Sequence, residues 1–142
     1  MKAPICLHTH NVRVYWEDTD AGGVVFYANY LKFFERARTE WLRSVGIEQD
    51  KLMQHGIDES GPAIFVVSEA QIQYHAPARL DDSLKITVEA DQIKQVSMNL
   101  IQHAWRDEAL IAQTRIRIGC VDPVHMKPRR FPQALSLALK RI

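Results

Sequence analysis

Beyond Pro62 the apolar residues change period from 3.6 to 2, and they keep the shorter period as far as Cys120. Upstream of the switch lies a long amphipathic helix running to Gly46, a residue suited to a helix C-cap. Leu31, Phe34, Trp41, Leu42 and Val45 fall within about 100° of arc, with Lys32, Arg36, Glu40 and Arg43 opposite. Downstream, four long strands joined by tight turns each carry one apolar face. Ile64, Val66, Ala70, Ile72 and Tyr74 share the first face, and Leu84, Ile86, Val88 and Ala90 the second. Val96, Met98 and Leu100 begin the third, and Leu110 to Cys120 the fourth. A helix with one apolar stripe needs a surface to bury it. An antiparallel sheet curled around it supplies that surface, which predicts an α+β fold.

The flanking pieces are shorter. Asn11 to Asp18 reads as a strand, Gln49 to Gly56 as a second helix, and Pro132 to Ile142 as a weakly amphipathic terminal helix. No repeat or linker divides the chain, so residues 1–142 are expected to form one domain, long enough to close a core.

Arg38 breaks the helical pattern, because the same geometry places it in the middle of the apolar stripe. Glu35 lies on the stripe's edge, within reach as an i,i+3 pair. Two readings follow. Either the two form a structural ion pair with Arg38 snorkelling at an oligomer interface, or Glu35 faces a site and touches substrate.

The stretch "EDTDAGGVVFYANY", Glu17 to Tyr30, concentrates the chemistry. Asp18 and Asp20 suit a turn by themselves. Gly22 and Gly23 allow close backbone approach, and the helix that starts after them has amide groups without intrahelical partners. A carboxylate on one side and free N–H donors on the other are two halves of an acyl-transfer site. No serine or cysteine has a nucleophile-elbow setting. His8 and His10, on an expected N-terminal arm, offer a metal only two ligands. Lys127, Arg129 and Arg130 follow the last strand; they form a solvated charge run or a phosphate clamp, with Arg79 as a contributor.

Bulk properties narrow the class. The formal charge is +1, which gives no electrostatic case for nucleic acid. No apolar run approaches the roughly 20 residues of a membrane span, and the start lacks the apolar region of a secretory signal. Cys6 and Cys120, without a C-x-x-C neighbour, read as free thiols in a reducing cytoplasm.

"VRVYWEDTDAGGVVFYANYLKFFERARTEWLRSVGI" resembles the signature of the hotdog-fold acyl-CoA thioesterases. It is most similar to the Tol–Pal-associated (YbgC) type and is also similar to 4-hydroxybenzoyl-CoA thioesterase. "FVVSEAQIQYHAPARLDD" and "CVDPVHMKPRRFP" extend the likeness from Val12 to Pro132. The resemblance implies a five-stranded antiparallel sheet wrapped around one long central helix. It implies a homodimer or homotetramer with sites at the subunit interface. It places the catalytic carboxylate on Asp20 rather than Asp18, and the polarising backbone donor at or near Tyr27. Glu35 matches a residue that contacts the acyl group in the hydroxybenzoyl enzyme. Many Tol–Pal-branch members carry histidine where this chain has Tyr27, so the role of the phenol is open.

The expected chemistry is hydrolysis of acyl-CoA thioesters in the cytoplasm, without a metal or redox cofactor. Asp20 acts as general base or nucleophile; Lys127, Arg129 and Arg130 hold the coenzyme; an apolar tunnel beside the helix takes the acyl chain. Acyl carrier protein is an alternative carrier. The rivals are a non-catalytic acyl-CoA or acyl-carrier-protein binding module, a hotdog hydratase or dehydratase, and a scaffold for envelope assembly.

Overall fold

The computed structural model of the chain describes residues 5–140. Five strands, β1 (Ile5–Arg13), β2 (Ile64–Tyr74), β3 (Ser83–Ile93), β4 (Ser97–Arg106) and β5 (Ala109–Val121), form one sheet in the order β1-β3-β4-β5-β2. All neighbours are antiparallel. The long helix α1 (Tyr30–Ser44) packs on one face, with the short α2 (Gln49–Gln54) beyond it. Gly46 takes φ +87° after α1, which is the left-handed conformation that ends a helix. The terminal helix α3 spans Gln133–Lys140; Arg141 and Ile142, assigned to it from sequence, lie outside the described residues.

Alternation in the strands explains the core. Leu84, Ile86 and Val88 of β3, Met98, Leu100 and Ala104 of β4, and Ala112, Ile116 and Ile118 of β5 are buried. They face Phe33, Phe34, Ala37 and Trp41 of α1. Burying one such side chain stabilises the fold by about 1.5–3 kcal/mol, so this face dominates the packing.

Four sequence expectations change. The helix buries Tyr30, Phe33, Phe34, Ala37, Trp41 and Leu42, whereas Leu31 is exposed. The buried stripe is therefore turned by about 60° from the expected one, and Arg38 lies at its edge rather than its centre. Strand β1 begins earlier and stops at Arg13, opposite Ser83, where β3 begins. With no partner strand left, Trp16–Asp18 folds into a 3₁₀ turn and Trp16 is exposed.

In β2 an irregularity between Val67 and Glu69 adds one residue to the strand. Phe65 and Val67 thus pair with core-facing Cys120 and Ile118, while Ala70, Ile72 and Tyr74 hold that face beyond the bulge. Ile64 and Val66 point the other way, because one extra residue flips the face. Finally, β2 and β3 are not joined by a hairpin. Residues 75–82 cross the ends of β5 and β4, tied down by Arg106 Nη1, which donates to Pro77 O and Asp82 Oδ2, each at 2.9 Å.

Asp58 anchors the terminal helix by accepting from Gln133 N–H and Ser60 N–H, each at 2.8 Å. The Gln133 amide is the largest influence holding its carboxyl below the usual aspartate value. A depressed folded pKa stabilises the fold above the unfolded value, and the gain is lost as pH falls through the folded one. Asp58→Asn should therefore lower the urea midpoint at pH 7, and the gap from wild type should close on acidification. A gap independent of pH would contradict this.

Candidate active site

The loop after the 3₁₀ turn closes on itself. Asp20 N–H donates to Val24 O at 2.9 Å and Gly23 N–H to Asp20 O at 3.0 Å, with Gly23 at φ +80°. Thr19 and Val25 form a bridge across it. The two aspartates divide the work. Asp18 is buried, and its Oδ2 accepts from Tyr15 N–H and its Oδ1 from Asn29 Nδ2, each at 2.8 Å. That carboxylate is committed to tying the loop to the helix start. Asp20 is exposed; Oδ1 accepts from Gly22 N–H at 2.8 Å, and Oδ2 has no hydrogen bond among the described residues.

The helix does not start directly after the glycines. Val24 first bridges Arg79, and a 3₁₀ turn, Tyr27–Asn29, then leads into α1. Phe26 N–H is taken by Asp18 O at 2.9 Å and Asn29 N–H by Phe26 O at 2.8 Å. The amides of Tyr27 and Ala28 have no partner among the described residues, which leaves them available as donors. Tyr74, which sequence reading took only as a strand residue, donates its hydroxyl to Tyr27 O at 2.8 Å and so fixes that peptide. The Tyr27 phenol is exposed, edge-on to Phe26.

The remaining residues lie further off. Glu35 does not pair with Arg38: it accepts from Thr39 Oγ1 at 2.8 Å, while Arg38 Nη1 donates to Gln102 Oε1 at 2.9 Å. Glu35 and Arg38 both line a cavity of about 200 Å³ between α1 and the strands, with Trp41, Phe65, Val67 and Met98 among its apolar walls.

Lys127 and Arg130 are exposed. They follow β5, at the end of the sheet where β2 begins. The Asp20 loop lies at the other end, against Ala78 and Arg79. Arg129 departs from the expected surface clamp. Its side chain is 12% exposed, with Nη2 3.8 Å from Asp58 Oδ1, because its backbone N–H bonds Cys120 O and turns the side chain inward. His8 and His10 are part of β1, not of an arm.

The profile of the thioesterase-like superfamily matches residues 14–139. This chain belongs to that superfamily. An acyl-CoA thioester hydrolase, YbgC, of Escherichia coli O6:H1 is 42% identical over 131 residues, covering 92% of this chain and 93% of its own. The acyl-CoA thioesterase YbgC of Haemophilus influenzae is 40% identical over the same shares. Among solved structures, that of a probable thioesterase from Bartonella henselae superposes with a TM-score of 0.82 at 33% identity, covering 88% of this chain and 98% of that one.

Within this thioesterase-like chain, Gly22 has a steric reason to be glycine. A Cβ there would meet Asp20 Oδ1 at 3.1 Å. Gly22→Ala should shift the exposed Asp20 carboxylate by a few tenths of an ångström with little effect on the core, and turnover should fall about tenfold if that carboxylate takes part in it. Turnover and urea stability measured side by side check this; a loss of both in proportion would count against it. No helix among the described residues is long and apolar enough to cross a membrane.

Proposed function

We propose that this chain hydrolyses acyl-CoA thioesters to free acid and coenzyme A. The observation that carries the reading is the division between the aspartates: Asp18 is fully engaged in the fold, and Asp20 keeps a free oxygen on the same loop that leads to unpartnered amides at Tyr27 and Ala28. In the proposed step Asp20 takes a proton from water, the water oxygen bonds the thioester carbon, and the amides hold the oxyanion. Collapse breaks the C–S bond and releases the thiolate, which regains the proton. Attack by Asp20 itself, through an anhydride that water then opens, uses the same groups. Neither route asks for a metal or redox cofactor.

The same reading makes the working unit at least a dimer. Strand β4 has ten residues, about 33 Å, which separates the Asp20 end of one chain from its own Lys127 and Arg130. β2 is an edge strand with Val67 and Tyr74 exposed. Antiparallel pairing of two β2 edges sets the basic end of one copy beside the Asp20 end of the other. Coenzyme phosphates would then meet Lys127 and Arg130 across the interface, with Arg79 on the Asp20 side. Sedimentation equilibrium at assay concentration should return a dimer or tetramer; an active monomer would sink this arrangement. Free Cys6 and Cys120 suit the cytoplasm as the place of action.

The experiment is release of free thiol from short, long and aromatic acyl-CoAs. Turnover of some member supports hydrolysis. Binding without turnover favours the rival reading, a non-catalytic acyl-CoA or acyl-carrier-protein module in which Asp20 is a turn residue.

A further inference from the structure

The two open amides at the helix start, those of Tyr27 and Ala28, belong to adjacent peptide units, and each unit is held at its carbonyl. In the first, Phe26 O accepts from Asn29 N–H at 2.8 Å, a contact made inside the turn. In the second, Tyr27 O accepts from the Tyr74 hydroxyl at 2.8 Å, a contact that reaches across from β2. The peptide is trans, so its N–H points opposite to its C=O. A hydroxyl fixed on Tyr27 O therefore fixes the direction of Ala28 N–H as well. It also draws electron density toward the oxygen, which makes the N–H at the other end of the unit a stronger donor.

The surroundings of Tyr74 hold this contact in place. Its ring lies edge-on to Tyr27, with centroids 6.3 Å apart, and tilts against buried Tyr30 at 5.7 Å. Its backbone is in register with Ala112 of β5. Burial raises the phenol pKa and Tyr27 adds to the rise, so the hydroxyl keeps the proton it donates through neutral pH. Tyr27 O is the one partner that the hydroxyl has among the described residues. Phenylalanine would fill the same aromatic packing; the oxygen serves the peptide.

We propose that Tyr74 is a positioning residue: its hydroxyl orients and polarises the Tyr27–Ala28 peptide so that Ala28 N–H donates to the carbonyl oxygen of the bound thioester. The proposal rests on the acyl-CoA reading above and adds to it a residue that acts on the reaction without touching substrate.

The test combines kinetics with infrared spectroscopy, using hexanoyl-CoA and benzoyl-CoA with an isotope-labelled thioester carbonyl. Tyr74→Phe should lower kcat about fivefold and leave KM within about twofold. That is a fraction of the hundredfold or so that outright loss of an oxyanion donor costs. In Asp20→Asn protein the labelled carbonyl of the bound thioester should absorb below its frequency in water. Adding Tyr74→Phe should move it back toward that value. Replacing Tyr74 with 3-fluorotyrosine, a more acidic phenol that keeps the donor, should restore both kcat and the frequency when assayed below neutrality. A carbonyl frequency indifferent to Tyr74→Phe overturns the proposal, whatever happens to stability. If the hydroxyl serves only the pairing edge of β2, Tyr74→Phe shifts the sedimentation profile and leaves the frequency alone, which also overturns it. Bound thioester with a Tyr74-sensitive carbonyl but no turnover in wild type overturns hydrolysis alone; no binding of either thioester overturns both.

Discussion

Asp20→Asn should lower kcat by two or more orders of magnitude while KM stays within about threefold, the range expected when a general base is removed. Asparagine is nearly isosteric and keeps an oxygen for Gly22 N–H, which now bonds Asp20 Oδ1 at 2.8 Å. The residue is exposed, so the fold loses little, within about 0.5 kcal/mol. The variant therefore separates chemistry from structure. What it lacks is the ability to accept a proton or to attack carbon. Thiol release measured under single-turnover conditions alongside calorimetric binding checks both halves. A variant that keeps more than a tenth of wild-type kcat would remove Asp20 from the reaction, and the loop would revert to a polar turn.

Asp18→Ala is expected to do the opposite: destabilise first and impair activity as a consequence. Two donors, Tyr15 N–H and Asn29 Nδ2, lose their acceptor, and Asn29 is only 6% exposed. Hydrogen bonds to a charged group contribute about 1.5–3 kcal/mol each, and a buried donor left alone adds its desolvation cost. We expect a loss of about 3 kcal/mol in urea unfolding, with kcat reduced because the loop is no longer tied to the helix start. A loss below about 1 kcal/mol would mean that water replaces the carboxylate, and that Asp18 is not what holds the loop. Comparing the two variants is informative because the residues are two apart and chemically identical. Only burial and partners distinguish them.

The paired glycines and the following aromatic run marked the candidate site in sequence, because they need no long-range information. Gly23 takes positive φ and Gly22 spares the Asp20 carboxylate, both local requirements. Tyr74 and Gln102 escaped the same reading. Each acts through one hydrogen bond to backbone 47 or 68 residues away, and no local pattern encodes such a contact. Arg129 misled for the same reason: beside Lys127 and Arg130 it reads as surface charge, but Asp58 lies beneath it.

Periodicity by itself determined the class of this protein. One stripe at 3.6 and four faces at 2 admit a helix on an antiparallel sheet, because each apolar face must be covered. Tertiary structure decided the rest. The order β1-β3-β4-β5-β2, the bulge in β2 that flips Ile64 and Val66 outward, and the turn of α1 that brings Arg38 to the stripe's edge all depend on which strand pairs with which. Pairing energy comes from partners distant in sequence, so the chain carries the faces in its pattern but their registry only in the folded state.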